Sequence, residues 1–235
     1  MILTLERRPE RSQWMAVLSP LLAVNLTAIV GAVIFAAQGI HPGRALYVYF
    51  IDPLTTSWSL EELAVKSSPL ILIGVGLAVC FKAKVWNIGA EGQLTAGALA
   101  GAAVPILLPT FQSPPVLAVM IVLAIAGGAL YGAIPALLKT RFGANEILTS
   151  LMLVYVAQLL LDWLVRGPWR DPNGFNFPQS AAFEGWQVLP HLGDGRLHLG
   201  IVFALVAAMV LSVVMDRTLK GFEIKVIGAA PRAGP

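Results

Sequence analysis

The sequence predicts an all-α, polytopic membrane bundle of about six spans, and three observations carry that prediction. Of 235 residues, 57% are hydrophobic and only 12% charged, with a mean hydropathy of +0.77; an ordinary soluble domain carries about 25% charged residues. The apolar residues are grouped into long uncharged runs that a soluble core cannot bury and a bilayer can. The charges that remain are confined to short intervals between those runs.

Taken in order, the first span covers about Trp14 to Ala37, after a charged start that holds Arg7, Arg8 and Arg11. It is too long, and lacks the cleavage site, for a cleavable signal peptide. Residues from Gln38 to Lys66 are polar and aromatic and predict a loop with a short surface helix. The second span, Ser67 to Phe81, is short and contains Pro69, Gly74 and Gly76. The third, Leu94 to Leu108, is short and rich in Gly and Ala. Short, Gly- or Pro-interrupted hydrophobic segments are typical of transporters, whose helices break near a central pathway. The fourth span runs from about Val116 to Leu138, the fifth from Asn145 to Leu161 and the sixth from Leu197 to Met215. A long loop with Trp163, Trp169 and Trp186 separates the last two, and the tail from Asp216 to Pro235 is basic and amphipathic.

The net charge of +3 is explained by orientation, not by nucleic-acid binding, because the basic residues flank the apolar runs. With the N-terminus inside, eleven Lys and Arg fall in inner segments against five in outer ones. The positive-inside rule then places both ends of the chain in the cytoplasm. The single cysteine, Cys80, lies in an apolar run, so no disulfide forms within the chain.

The stretch from Val85 to Gln93 is the most informative. Asn, Glu and Gln between apolar segments are costly against lipid. They suit either a short cytoplasmic turn with Glu91 solvated, or a helix break lining a pathway. Gly97 and Gly101, and Gly128 and Gly132, are small-xxx-small pairs suited to close helix packing. Asn145 and Glu146 suit a helix start. Gln158 and Asp162 fit a pathway or an interface equally. The tail fits a basic helix on anionic lipid or a docking surface. No nucleotide-binding loop, zinc-protease motif or serine-hydrolase elbow occurs, and His41, His191 and His198 lack metal-ligand spacing. These features predict no enzyme, no metal and no cofactor of the chain's own.

The segment Val85-Trp86-Asn87-Ile88-Gly89-Ala90-Glu91-Gly92-Gln93 resembles the Asn-Ile-Gly-x-Glu-Gly-Gln segment of ABC-importer permeases in the ribose/branched-chain amino-acid group, nucleoside and simple-sugar subgroup. Residues 217–228 are similar to the coupling loop of those permeases. The resemblance implies one membrane-embedded permease domain over residues 1–235, with a coupling segment at 216–235. It implies pathway or helix-break residues Asn87, Gly89, Glu91, Gly92 and Gln93. It implies ATPase-coupling residues Lys220, Gly221, Phe222, Lys225 and Gly228, with Arg232 as a further polar contact. Its partners are ATPase subunits that bind ATP, a second permease subunit in a homo- or heterodimer, and an extracytoplasmic substrate-binding protein. The setting is the cell membrane, with nucleosides or simple sugars as cargo. About four more spans are expected after Pro235, which reads as a C-terminal truncation. A secondary transporter, or less so an intramembrane enzyme, is the rival reading; the spans hold few of the ionisable groups either needs.

Overall fold

The computed structural model describes residues 12–111, 113, 115–183 and 185–230. Arg232 and the charged start lie outside the described residues. Eight α-helices follow one another: α1 (Gln13–Ala37), α2 (Pro42–Phe50), α3 (Ser57–Lys82), α4 (Ala90–Leu107), α5 (Pro115–Phe142), α6 (Glu146–Arg166), α7 (Gly200–Arg217) and α8 (Leu219–Ala229). Short 3-10 turns sit at Asp52–Leu54 and Gly185–Gln187. The chain divides into two compact units, one through Leu63 and one from Ala64.

In the first unit, Ser12 caps α1 by accepting the Met15 amide at 3.5 Å. The helix is apolar around its whole circumference. Two of its interior polar side chains are satisfied within the helix: Asn25 donates to the Leu21 carbonyl and Thr27 to the Ala23 carbonyl, both at 2.8 Å. Such back-bonding lets a polar group enter lipid without a partner helix. α2 starts where His41 Nδ1 accepts the Arg44 amide, with Pro42 at the first helical position, where its missing N–H costs nothing.

Among the described residues, five helices are long and apolar enough to cross a membrane: Trp14–Ala37, Ser57–Lys82, Pro115–Phe142, Glu146–Arg166 and Gly200–Arg217. The chain is a multi-pass membrane protein. α4 is not among the five because Glu91 and Gln93 dilute its apolar character. At 18 residues it is nevertheless about 27 Å long. It runs antiparallel to α5: its residues Gln93, Gly97 and Gly101 meet Gly128, Ala124 and Met120 in turn.

The structure moves several boundaries: α5 runs on to Phe142 and α6 to Arg166, so Trp163 lies in a helix and not in the loop after it. The second span is not short. α3 starts at Ser57, where the Thr56 hydroxyl accepts the Ser59 amide at 3.2 Å, and passes through Pro69 without ending. The charges Glu61, Glu62 and Lys66 ended the apolar run but not the helix, since good helix formers continue past the apolar zone. The third helix starts four residues before the apolar run does. Only 83–89 is non-helical, and Glu91, Gly92 and Gln93 belong to the first turn of α4. An acidic residue there complements the helix N-terminus.

α4 packs mainly on α5 and then on α6, through glycines. A Cβ at Gly97 would lie 2.8 Å from the Ala124 carbonyl oxygen, and one at Gly101 2.9 Å from that of Met120. One at Gly127 would meet the Ala100 Cβ at 2.5 Å. These backbones touch because hydrogen replaces a side chain.

Candidate functional site

The connection from α3 to α4 is built by side-chain amides. Lys84 takes a left-handed φ of 55°, which turns the chain just after α3, and the Val85 amide still reaches the Cys80 carbonyl at 2.9 Å. Asn87 and Gln93 then bond reciprocally: Asn87 Nδ2 donates to Gln93 Oε1 and Gln93 Nε2 donates to Asn87 Oδ1, each at 3.2 Å. Asn87 Oδ1 also accepts the Gly89 amide at 2.9 Å. The Ile88 amide donates to Ser150 Oγ at 3.2 Å, tying the connection to α6. Backbone amides of the connection are thereby partnered from inside the segment and from a neighbouring helix.

Glycine sets how close this segment lies to α6. A Cβ at Gly89 would stand 2.9 Å from Ser150 Cβ, and one at Gly92 3.0 Å from Val154 Cα. Gly128 and Gly132 of α5 face the Gln93 carbonyl and side-chain amide, where added Cβ atoms would sit at 3.2 Å. Where α5 ends and α6 begins, Lys139 pairs with Glu146 at 2.5 Å, and Asn145 Oδ1 caps α6 at the Ile147 amide, 2.9 Å away.

These contacts fix a depth. Val154 lies eight residues into α6 beyond Glu146, so the first turn of α4 sits about 12 Å along α6 from its N-terminal end. The segment is therefore level with the body of α6. Glu91 Oε1 accepts from Gln158 Nε2 at 2.8 Å, higher still. A cavity of about 490 Å³ lies beneath, lined among others by Asn87, Gln93, Lys139, Glu146 and, from α8, Ile227.

α8 folds back immediately after α7. Thr218 caps it by accepting the Gly221 amide at 3.2 Å, and Lys225 reaches back to Asp216 at 2.8 Å. A Cβ at Gly221 would run into the Val214 carbonyl, and one at Gly228 into the Lys82 carbonyl at the end of α3. Both turns of α8 thus need glycine. Phe222 and Leu219 remain 63% and 79% exposed, so the apolar face of α8 is uncovered. Lys220 pairs with Glu223 at 2.8 Å on the same helix.

Of the residues singled out from sequence, the structure gathers Asn87, Gly89, Gly92 and Gln93 against α5 and α6, and places Glu91 on the exposed α4–α6 face. Lys220, Gly221, Phe222, Lys225 and Gly228 all lie on α8. Ser150, Tyr131, whose hydroxyl donates to the Leu153 carbonyl at 2.6 Å, and Gly127 escaped sequence reasoning. The Gly127-Gly128 pair offered a signal; Ser150 and Tyr131 offered none. The histidines act locally: His41 caps α2, and His198 Nδ1 accepts the Gly200 amide at 3.1 Å at the start of α7. Among the described residues no group of three metal-ligating side chains forms.

A glycine-packed set of helices with a polar connection between α3 and α4, and a short helix folding back after α7, defines a polytopic membrane protein. The chain belongs to the family described as branched-chain amino acid transport system / permease component, whose model matches residues 59–234. It is 38% identical, over 98% of its length, to the glucose ABC transporter permease protein TsgB13 of Haloferax volcanii, covering 63% of that protein. It is 30% identical over 90% of its length to the guanosine ABC transporter permease protein NupP of Bacillus subtilis, covering 61% of it. Against the nucleoside ABC transporter permease protein NupB of Lactococcus lactis it is 26% identical over 92%, covering 62%. The chain thus spans a little under two-thirds of the length of these relatives. No solved structure matches it.

Proposed function

We propose that this chain is the membrane-spanning permease subunit of an ATP-binding-cassette importer for sugars or nucleosides. The names of its relatives support that cargo. In this reading the chain holds no cofactor, and a separate ATPase subunit binds ATP on the cytoplasmic side. A second permease subunit completes the path, and an extracytoplasmic binding protein delivers substrate. The Lys and Arg distribution orients α8 inward, with α4 counted as the sixth crossing.

The observation that carries the proposal is the seating of α8. An ATPase can move membrane helices only through a rigid element at the membrane face. α8 is held at one end by the tight Gly221 turn onto α7 and at the other by Gly228 against the Lys82 carbonyl. Lys82 ends α3 five residues before Asn87, so a push on α8 reaches the Asn87–Gln93 segment through a few residues. Phe222 stands exposed as the apolar anchor, a residue type that often dominates a small interface.

Co-purification in mild detergent tests this. The wild-type chain should retain its ATPase, and Phe222→Asp should lose at least about tenfold of it, because an aspartate there would be buried unpaired. Equal retention by both would remove α8 as the docking surface.

A further inference from the structure

We propose that the face shared by α4 and α6 is a binding strip for a neutral, polyhydroxylated solute, with Glu91 and Gln158 as inner contacts and Tyr155 and Asp162 as outer ones. The proposal rests on the permease reading above and adds to it where, and by what chemistry, cargo is held.

Position comes first. Gln158 stands twelve residues beyond the start of α6 and eight before its end, so it lies about 18 Å from one end and about 12 Å from the other. That is inside the hydrocarbon zone of a crossing helix. Gln158 and Glu91 bond to each other at 2.8 Å, yet both are exposed. A carboxylate open to lipid at such depth is strongly disfavoured, and intramembrane ionisable groups face a bundle interior or a water-filled path. α1 solves the same problem differently: its Asn25 and Thr27 bond their own helix. The α4–α6 face instead carries groups with hydrogen-bonding capacity to spare. The carboxylate has about four acceptor sites, and the Gln158 bond uses one.

Geometry comes next. Tyr155, Gln158 and Asp162 recur at helical spacing on one face of α6 and line a single cavity of about 480 Å³, to which Pro178 of the following loop also contributes. That volume suits a small-molecule site. Glu91 extends the row inward from α4. A solute entering from Asp162 would pass Gln158 and reach Glu91 with a polar partner at each step.

Chemistry then selects the solute. Carboxylate and amide oxygens take hydroxyl donors, and the Gln158 amide also donates. The exposed Tyr155 ring offers a flat surface for a base or the C–H face of a sugar ring. Arg166, one turn beyond Asp162 on α6, is already engaged by Asp162 at 2.6 Å. An amino acid, whose carboxylate needs a cation, is thereby disfavoured, and a vicinal diol is favoured.

A reporter thiol tests the assignment without relying on ATPase coupling. In the full chain carrying Cys80→Ser, in nanodiscs, Leu159→Cys lines the cavity without being a proposed contact, and Leu160→Cys lies outside it. A charged, membrane-impermeant methanethiosulfonate should label Leu159→Cys at least about tenfold faster than Leu160→Cys. Millimolar adenosine or D-glucose should slow that labelling, and L-leucine should not. Adding Glu91→Ala should raise the protecting concentration about tenfold, as expected for loss of a charged hydrogen bond to a hydroxyl. Glu91→Gln, which keeps a side-chain partner for Gln158, should raise it less. Slow labelling of Leu159→Cys, absence of protection by both polyols, protection by L-leucine, or indifference to Glu91→Ala would each overturn the strip. Loss of ATPase co-purification by the wild-type chain would instead sink the permease-subunit reading and leave the labelling result to be judged by itself.

Discussion

α1 and α4 enter the membrane by opposite means. α1 is a 25-residue apolar helix with none of its spanning window buried. α4 has 18 residues, carries Glu91 and Gln93, and falls short of the apolarity of the five long helices. Yet it buries Gly92, Gly97, Leu99, Gly101, Val104 and Pro105. A strongly hydrophobic helix is thus among the least packed, and a helix that falls short of that apolarity is the most packed. Lipid tails are as apolar as leucine, so hydrophobicity puts a helix in the bilayer without attaching it to another helix. Attachment comes from small residues that admit a neighbour's backbone and from polar groups that find partners. Both concentrate in α4 and its approach.

The contrast is sharpest at glycine. Gly97→Val should cost about 3 kcal/mol, because the added atoms meet the Ala124 backbone carbonyl, which cannot swing away as a side chain can. Gly31→Val in α1, where nothing lies within 4 Å of the new Cβ, should change stability by less than about 0.5 kcal/mol. Unfolding in mixed micelles by SDS titration measures both. Comparable losses at the two sites would mean that α1 is packed as tightly as α4.

A smaller difference is expected for amides. Gln93→Leu should cost about 1–2 kcal/mol by leaving Asn87 without its reciprocal partner. Adding Asn87→Leu should then cost less than it does alone, since the pair acts as a unit. Asn25→Leu in α1 should be neutral in the same titration, because Asn25 bonds only its own helix. Additive losses for Asn87 and Gln93 would dissolve the pair.

The smallest effect belongs to a single hydroxyl. Ser150→Ala should cost roughly 0.6 kcal/mol, the scale of interhelical hydrogen bonds in membranes, and should speed hydrogen exchange at the Ile88 amide. Thr27→Ala should leave exchange across α1 unchanged. Unchanged protection at Ile88 would show that another group holds that amide.

Much of the fold was legible in the sequence because the bilayer simplifies the problem. Backbone polar groups must be satisfied internally, so each long uncharged run became a helix near its expected place. Boundaries were less legible. The start of α3 was hidden because Glu61, Glu62 and Lys66 mark where the apolar run ends, not where the helix does. The start of α4 was hidden because Glu91 and Gln93 look like loop residues until their partners are known. At the candidate site, Asn87 through Gln93 announced themselves as polar groups among apolar ones. Their partners did not: Ser150 is an unremarkable serine in an apolar run, and Gln158 lies 67 positions from Glu91.

By itself, then, the sequence determined which segments are helical and membrane-embedded, because hydropathy and backbone satisfaction act on each segment separately. It also determined where small residues permit close approach. Only the tertiary structure decided which backbone meets each glycine, that the break sits level with the body of α6, and that Gly228 rests on the Lys82 carbonyl. Those facts depend on how separate helices register against one another. In lipid that register is set by short-range packing and a few hydrogen bonds between residues far apart in the chain, and no local pattern encodes it.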